Sequence, residues 1–176
     1  ILYKKSHDFG KTWSESEYLR KLWCRVIRCE PLTTPGGHVV LPFHRELFTY
    51  QSRFYINEDL ELKAPWKTFG RLKVPGGCLE PSICLTKSGN ILCGMRTFKA
   101  GRVYFARSND GGKTWDKPVA SEIPNPNSQV DLLCLNNGHI LIACNPSEKV
   151  HGKSRGELSI FRSLDEGETW QMDNKL

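Results

Sequence analysis

The sequence predicts an all-β fold of repeated four-stranded sheets, a β-propeller, and three observations carry that expectation. An eight-residue signature, Ser-x-Asp-x-Gly-x-Thr-Trp, recurs at Ser6–Trp13, Ser108–Trp115 and Ser163–Trp170. A short turn duplicated at long intervals marks a repeat architecture. Between the copies, short β-branched and aromatic runs alternate with glycine-bearing turns, the pattern of antiparallel strands. No apolar pattern of helical period extends over about eleven positions. The short run Glu15 to Trp23 is the only helix candidate.

Spacing sets the unit. Ser6 and Ser108 are 102 positions apart and Ser108 and Ser163 are 55 apart, so a worn copy is expected near position 57. Asn57-Glu58-Asp59 stands there with Trp66 behind it, keeping the acidic turn and the tryptophan without the glycine. A unit of roughly 50 residues with four strands has the size of a propeller blade. It divides the chain into the end of one blade at 1–23 and three blades at 24–75, 76–123 and 124–176. Closed propellers have about four to eight blades, so this chain is expected to be part of a larger ring.

The blades share a plan. In the earliest, Val26 to Thr34 reads as the first strand, Pro35-Gly36-Gly37 as its turn, His38 to Phe43 as the return and Phe48 to Ile56 as the third strand. The next runs Glu80 to Thr86, Lys87-Ser88-Gly89, Asn90 to Arg96 and Arg102 to Arg107, then the signature and a short fourth strand at Lys117 to Ala120. The last runs Gln129 to Leu135, Asn136-Asn137-Gly138, His139 to Asn145 and Glu157 to Arg162, then its signature.

Turn chemistry turns this plan into a register. A three-residue hairpin loop ending in a left-handed glycine is a common solution; it pairs Thr86 with Asn90, which sets Glu80 opposite Arg96 and, in the next blade, Gln129 opposite Asn145. Both pairs fall at the end away from the hairpin turns, and Arg155 enters from that same end. Successive strands run antiparallel, so the signature turns lie on the other face. There Asp8, Asp110 and Asp165 are expected to hydrogen-bond their own turns, with Trp13, Trp115 and Trp170 packed between strands.

Glu80, Arg96 and Arg155 are therefore the constellation with chemical potential. Arginines brought together form a fork-shaped receptor for a carboxylate. The plainer alternative is that Glu80 only neutralises Arg96, a partly exposed pair contributing about 0–1 kcal/mol. Glu30-Pro31 repeats Glu80-Pro81 at a separation of 50, but its register faces Pro42 without an arginine, and it reads as inherited repeat. His44 and Arg45, beyond the return strand, read as solvated loop, with lining of the same mouth as the alternative, and His151 and Lys153 as exposed loop.

Composition narrows the partner classes. A net charge of +6 suits an anionic partner, but the excess reads first as a contribution to general solubility. The basic residues are scattered, without a basic block interleaved with aromatics, which argues against nucleic acid. No apolar run reaches the roughly 18 residues of a membrane span, and no basic-then-apolar signal opens the chain. Seven cysteines, an odd number without a Cys-x-x-Cys pair, argue against a zinc site and a closed disulfide framework and read as buried thiols. With no Asn-x-Ser/Thr acceptor, they lean towards an intracellular compartment. Nothing in the sequence indicates an oligomeric state.

The three signatures resemble the Asp boxes of the sialidase superfamily. Glu80-Pro81-Ser82-Ile83, then Ser88-Gly89-Asn90-Ile91-Leu92, then Arg96 resembles the sialidase segment that ends a blade's hairpin with an arginine. Arg155, ten residues before Asp165, stands where a further arginine of that family belongs. Asn125-Pro126-Asn127-Ser128 with Asn145-Pro146 is similar to related Asp-box repeat proteins. The resemblance implies a six-bladed propeller for the parent protein and retaining hydrolysis of terminal sialic acid from glycoconjugates. It makes Glu80 the assistant of a tyrosine nucleophile and Arg96 and Arg155 holders of the substrate carboxylate, with no metal or organic cofactor. The remaining arginine and the acid/base aspartate are expected upstream of Ile1, and the tyrosine downstream of Leu176. The other expectation is a non-catalytic glycan-binding or scaffold propeller; a sialylated or other acidic glycan is the partner in either case.

Overall fold

The computed structural model describes residues 1–19, 24–148 and 155–175, and all regular structure among them is strand. β1 (Leu2–Tyr3) and β2 (Glu17–Tyr18) form a two-stranded sheet. β3 (Arg25–Val26), β4 (Leu32–Thr33), β5 (Val39–Arg45), β6 (Gln51–Asn57) and β7 (Lys67–Leu72) form the second sheet, in which β3 and β4 both pair with β5. β8 (Cys78–Leu85), β9 (Ile91–Thr97), β10 (Arg102–Ser108) and β11 (Val119–Pro124) make the third. β12 (Asp131–Cys134), β13 (Ile140–Cys144), β14 (Ser159–Ser163) and β15 (Gln171–Lys175) make the fourth. All pairings are antiparallel. This is the architecture of part of a propeller.

The last three sheets open with the same hairpin. The N–H groups of Thr34, Thr86 and Leu135 donate to the carbonyls of His38, Asn90 and His139 at 2.9, 2.8 and 2.8 Å. Gly37, Gly89 and Gly138 close these turns at φ of 76°, 87° and 89°, a left-handed conformation that a side chain resists. The registers that follow from these turns form, as Cys84↔Leu92 and Asp131↔Ala143 show.

Three expectations need correction. The helix candidate from Glu15 holds a strand instead, because Glu17 and Tyr18 pair with Tyr3 and Leu2; its end, Arg20 to Trp23, lies outside the described residues. The strand expected from Val26 to Thr34 is split. β4 keeps the turn's register (Leu32↔Val40), β3 pairs two residues out of step (Val26↔His44), and Glu30-Pro31 sits in the break. Glu80 is not opposite Arg96. Ser82↔Gly94 gives way to Leu79↔Arg96, a bulge at Glu80-Pro81. Proline explains both breaks, since it has no N–H to give the ladder. The Gln129–Asn145 pair does not form either, as that ladder ends at Asp131↔Ala143.

Apolar residues fill the spaces between sheets. One core joins Val40, Phe54 and Ile56 of the second sheet to Ile83, Ile91 and Met95 of the third. Another joins Leu92 and Val103 of the third to Leu132, Ile140 and Ile142 of the fourth. Cys78, Cys84, Cys93 and Cys144 are buried free thiols; Cys29 and Cys134 are half-buried and Cys24 is exposed.

The signature turns repeat their hydrogen bonds. Ser6, Ser108 and Ser163 Oγ donate to Asp8, Asp110 and Asp165 at 2.8, 2.8 and 2.7 Å. The same aspartates accept the N–H of Thr12, Thr114 and Thr169 at 2.9 Å in each case. Threonine hydroxyl and N–H bonds hold the Asp8 carboxyl at about 2. For Asp165, burial pushes upward and the bonds from Thr169 and Ser163 overcome it, again leaving about 2. The worn copy keeps this logic: Asp59 accepts from the N–H of Lys63 at 2.9 Å, and Trp66 is buried.

Each of the last two boxes also grips the hairpin of the preceding sheet. His38 Nε2 donates to the carbonyl of Gly111 at 2.9 Å. Ser88 gives its N–H and hydroxyl to the Glu166 carboxylate at 2.7 and 2.6 Å. Gly167 lies so close that a Cβ there would stand 2.6 Å from Leu92. Trp115 stacks on Phe54 at 4.1 Å and Trp170 on Phe105 at 5.0 Å, each a ring of the preceding sheet. Trp13 has no preceding sheet among the described residues. Its sheet comprises β1 and β2 alone among the described residues, and its ring stays 60% exposed.

Replacing Asp110 with alanine removes the acceptor that organises its box. It is expected to lower stability by about 1–2 kcal/mol, read as a shift in the urea midpoint, with ligand binding at the opposite end unchanged.

Candidate functional site

The bulge in β8 is the starting point. Pro81 breaks the ladder, and Glu80 takes a left-handed backbone, φ 46°, which a non-glycine residue adopts only where its surroundings impose it. The Glu80 N–H, released from β9, donates to Nδ1 of His44 at 3.2 Å. That bond requires Nδ1 to be unprotonated, which leaves Nε2–H to donate to Glu46 Oε1 at 2.9 Å. His44 is wholly buried at the end of β5, so the solvated loop expected at this residue is a strand end inside the structure. Arg45, its neighbour on the strand, points to the opposite face.

Arg96 closes on Glu80 despite the shifted register. Its Nε lies 2.7 Å from Glu80 Oε2, with the side chains only 14% and 8% exposed. The Nε–H has no aligned acceptor, so the attraction is coulombic rather than a straight hydrogen bond. Arg28 approaches the other oxygen, Nε to Oε1, at 3.6 Å. Glu80 is thus held between two guanidinium groups.

Arg155 meets Arg96 at a single acceptor. Arg96 Nη1 donates to the Asn127 carbonyl at 2.8 Å and to its Oδ1 at 3.0 Å, and Arg155 Nη2 donates to the same carbonyl at 2.7 Å. The segment from Asn125 to Ser128 is shaped for this. Asn125 Oδ1 accepts the Asn127 N–H at 3.0 Å, its Nδ2 donates to the Ser128 carbonyl at 2.9 Å, and Asn127 is left-handed at φ 64°. Asparagine tolerates that conformation. Asn145 fixes the other side, its Nδ2 donating to the Glu157 carbonyl at 2.6 Å beside Arg155.

Electrostatics follow from the packing. Burial pushes the Arg96 guanidinium below the usual arginine range; Glu80 opposes that and Arg155 adds to it. Arginine starts so high that it stays a cation. Burial likewise lowers the His44 imidazole, against the pull of Glu46 and Glu80 and with the push of Arg96. The nearby Cys29 thiol is pushed up to about 12, by burial first and then by Asp131, so it is no nucleophile at neutral pH.

Glu80, Arg96 and Arg155 therefore come together as the spacing predicts. The structure adds Arg28, His44 and Asn127. The repeat itself carried a signal for the first two: the turn glycines Gly37 and Gly89 are 52 positions apart, and that offset maps Arg96 onto His44 and Glu80 onto Arg28. Glu30, left exposed in its strand break, takes no part in the cluster. His151 and Lys153 lie outside the described residues. Asp8, Asp110 and Asp165 act within their own boxes; Gly111 and Glu166 of the last two boxes grip hairpin turns, the end opposite the cluster.

Comparison with known proteins agrees with the fold. A family model described as BNR repeat-like domain matches residues 1–176. Among curated proteins no significant sequence match is found. Solved structures resemble the chain at low identity. The Hadza microbial sialidase Hz136 superposes with a TM-score of 0.78 at 18% identity, covering 96% of this chain and 35% of that one. A mutant of the NanB sialidase of Streptococcus pneumoniae gives 0.73 at 16%, covering 99% and 28%. The intramolecular trans-sialidase of Ruminococcus gnavus gives 0.72 at 20%, covering 98% and 39%. The chain thus spans well under half the length of these proteins, and the likeness is one of fold.

Two stability outcomes follow. Arg96→Leu is expected to cost about 3 kcal/mol, because it strips a buried carboxylate of its close partner. Arg28→Leu is expected to cost no more than about 1 kcal/mol, its side chain being largely exposed; urea denaturation compares the two. The lowered His44 imidazole sets a pH dependence. Stability is level above pH 6.5, its ordinary value, and falls as pH drops from there to the folded value, because the unfolded chain then binds the extra proton. Urea midpoints between pH 5 and 8 should show this loss, and His44→Asn should remove it.

Proposed function

Because the chain belongs to the BNR repeat-like domain family, we propose that it supplies one side of the substrate site of a retaining, sialidase-type glycoside hydrolase acting on terminal sialic acid. The observation that carries this reading is the convergence of one buried carboxylate with two arginines from different sheets on a single rim. Arg96 and Arg155 bind the substrate carboxylate, exchanging the neutral Asn127 carbonyl for an anion that accepts stronger, charge-assisted hydrogen bonds. Their fixed positive charge also favours the anionic sugar as its ring acquires oxocarbenium character.

Glu80 is the base. In the first step it takes the O–H proton of a tyrosine supplied outside residues 1–176, as the phenol oxygen bonds to the anomeric carbon. The bond to the leaving group breaks at the same carbon, and the leaving oxygen takes a proton from an acid also supplied outside these residues. In the second step water bonds to the anomeric carbon and gives one proton to the conjugate base of that acid, while the bond to tyrosine breaks and Glu80 returns its proton to the phenol oxygen. This tyrosine route departs from the usual two-carboxylate scheme, and it calls on no metal or organic cofactor.

One observation favours a second reading, a non-catalytic glycan-binding propeller. Glu80 lies between Arg28 and Arg96, and a carboxylate so held is a poor base and a good counter-ion. Turnover of a fluorogenic sialoside by the full-length protein that contains this chain, with N-acetylneuraminic acid binding measured in parallel, separates the two. Hydrolysis predicts that Glu80→Gln binds normally but loses about 10²-fold or more in kcat, while Arg96→Ala loses binding. Binding without turnover supports the module; turnover unaffected by either change rejects the assignment.

A further inference from the structure

The second sheet carries a cluster of arginines that the proposed site does not use. Arg25 and Arg45 are directly opposite across β3 and β5. Arg45 is opposite Gln51, and Arg53 lies two residues along the same face of β6. Arg71 reaches that face from β7, its Nε donating to Gln51 Oε1 at 2.7 Å. Because strand side chains alternate, this is the face away from His44 and Glu80. The four guanidinium groups act on one another: burial first, and then Arg25, Arg71 and Arg45, lower the Arg53 pKa.

Among the described residues no carboxylate forms an ion pair with any of the four. Their partners are neutral. Arg25 Nη1 donates to the Tyr55 hydroxyl at 2.5 Å and stacks over the rings of Phe43 and Tyr55 at 5.1 and 5.4 Å. Arg53 Nε donates to the Gly70 carbonyl at 3.1 Å. Arg53 and Arg71 are thus held by Nε, which leaves their terminal nitrogens free to form forks. Like charges opposite one another in a sheet destabilise it, and arginine cannot relieve this by releasing a proton.

From this arrangement we infer a second binding site, for a doubly charged oxyanion with the chemistry of a phosphate group or a free sulfate ion. The Nε anchors and the aromatic stacking fix the guanidinium groups of Arg25, Arg53 and Arg71 before a ligand arrives, which lowers the ordering cost of binding. Planar forks match such oxyanions in geometry as well as charge. A singly charged anion leaves most of the positive charge uncompensated and binds more weakly.

Isothermal titration of the 176-residue chain at pH 8 and constant ionic strength tests this, with inorganic phosphate, inorganic sulfate and glucose 6-phosphate as the divalent titrants and acetate as the monoanion control. The divalent anions are expected to bind at least about fivefold more tightly than acetate. Arg45→Gln and Arg53→Gln should each weaken them about fivefold or more, about 1 kcal/mol per charge-assisted contact, while Arg102→Gln in the third sheet leaves them unchanged. Tighter binding of glucose 6-phosphate than of inorganic phosphate identifies a phosphorylated glycan as the source; the reverse identifies the free ion. Equal loss in all three variants, or none in any, overturns the site. So does binding by the chain that vanishes in the full-length protein, since the cluster is then neutralised by the protein's own carboxylates. N-acetylneuraminic acid binding is recorded on the same variants; its loss through Arg96→Ala alone keeps the two sites separate.

Discussion

A missing N–H governs the chemistry-bearing end of this chain. Pro81 cannot donate to β9, so the ladder of the third sheet slips by one residue, and Glu80 is forced into a left-handed backbone with its own N–H unpaired by the sheet. A buried, unpaired N–H costs roughly 1–3 kcal/mol. His44 removes that cost from the neighbouring sheet, and in doing so joins the orientation of Glu80 to the packing of two blades. The carboxylate then lies where Arg96 and Arg28 reach it.

The two ends of the sheets do different work. At the hairpin end, each aspartate organises its own turn, and the last two boxes hold the hairpin of the preceding sheet through His38 and Ser88. Close approach is what the box glycine permits, as Gly167 against Leu92 shows. These contacts are rigid and repetitive. At the opposite end the repeats diverge, with histidine, arginine and asparagine at the equivalent positions 44, 96 and 145. One scaffold, held at one end, thus presents different side chains at the other.

Charge is distributed with the same economy. Arg96 and Arg155 share one neutral carbonyl acceptor. Alternation along β5 sends His44 into that site and Arg45 to the other face, where four arginines stand without a carboxylate among the described residues. The net positive charge of the chain is therefore concentrated in places rather than spread for solubility alone.

Local chemistry determined most of the fold. Glycine turns set the hairpins and their registers, the signature turns set the repeat, and both act over a few residues, so they are legible without neighbours. The convergence of Glu80, Arg96 and Arg155 at one end was legible for the same reason, since it needs only strand direction and register. What crosses between sheets was not. The slip at Pro81, the burial of His44, the reach of Arg28 and the carbonyl of Asn127 depend on which blade lies beside which and how closely. An N–H without a ladder partner has to find an acceptor, and only the tertiary structure decides which residue supplies it.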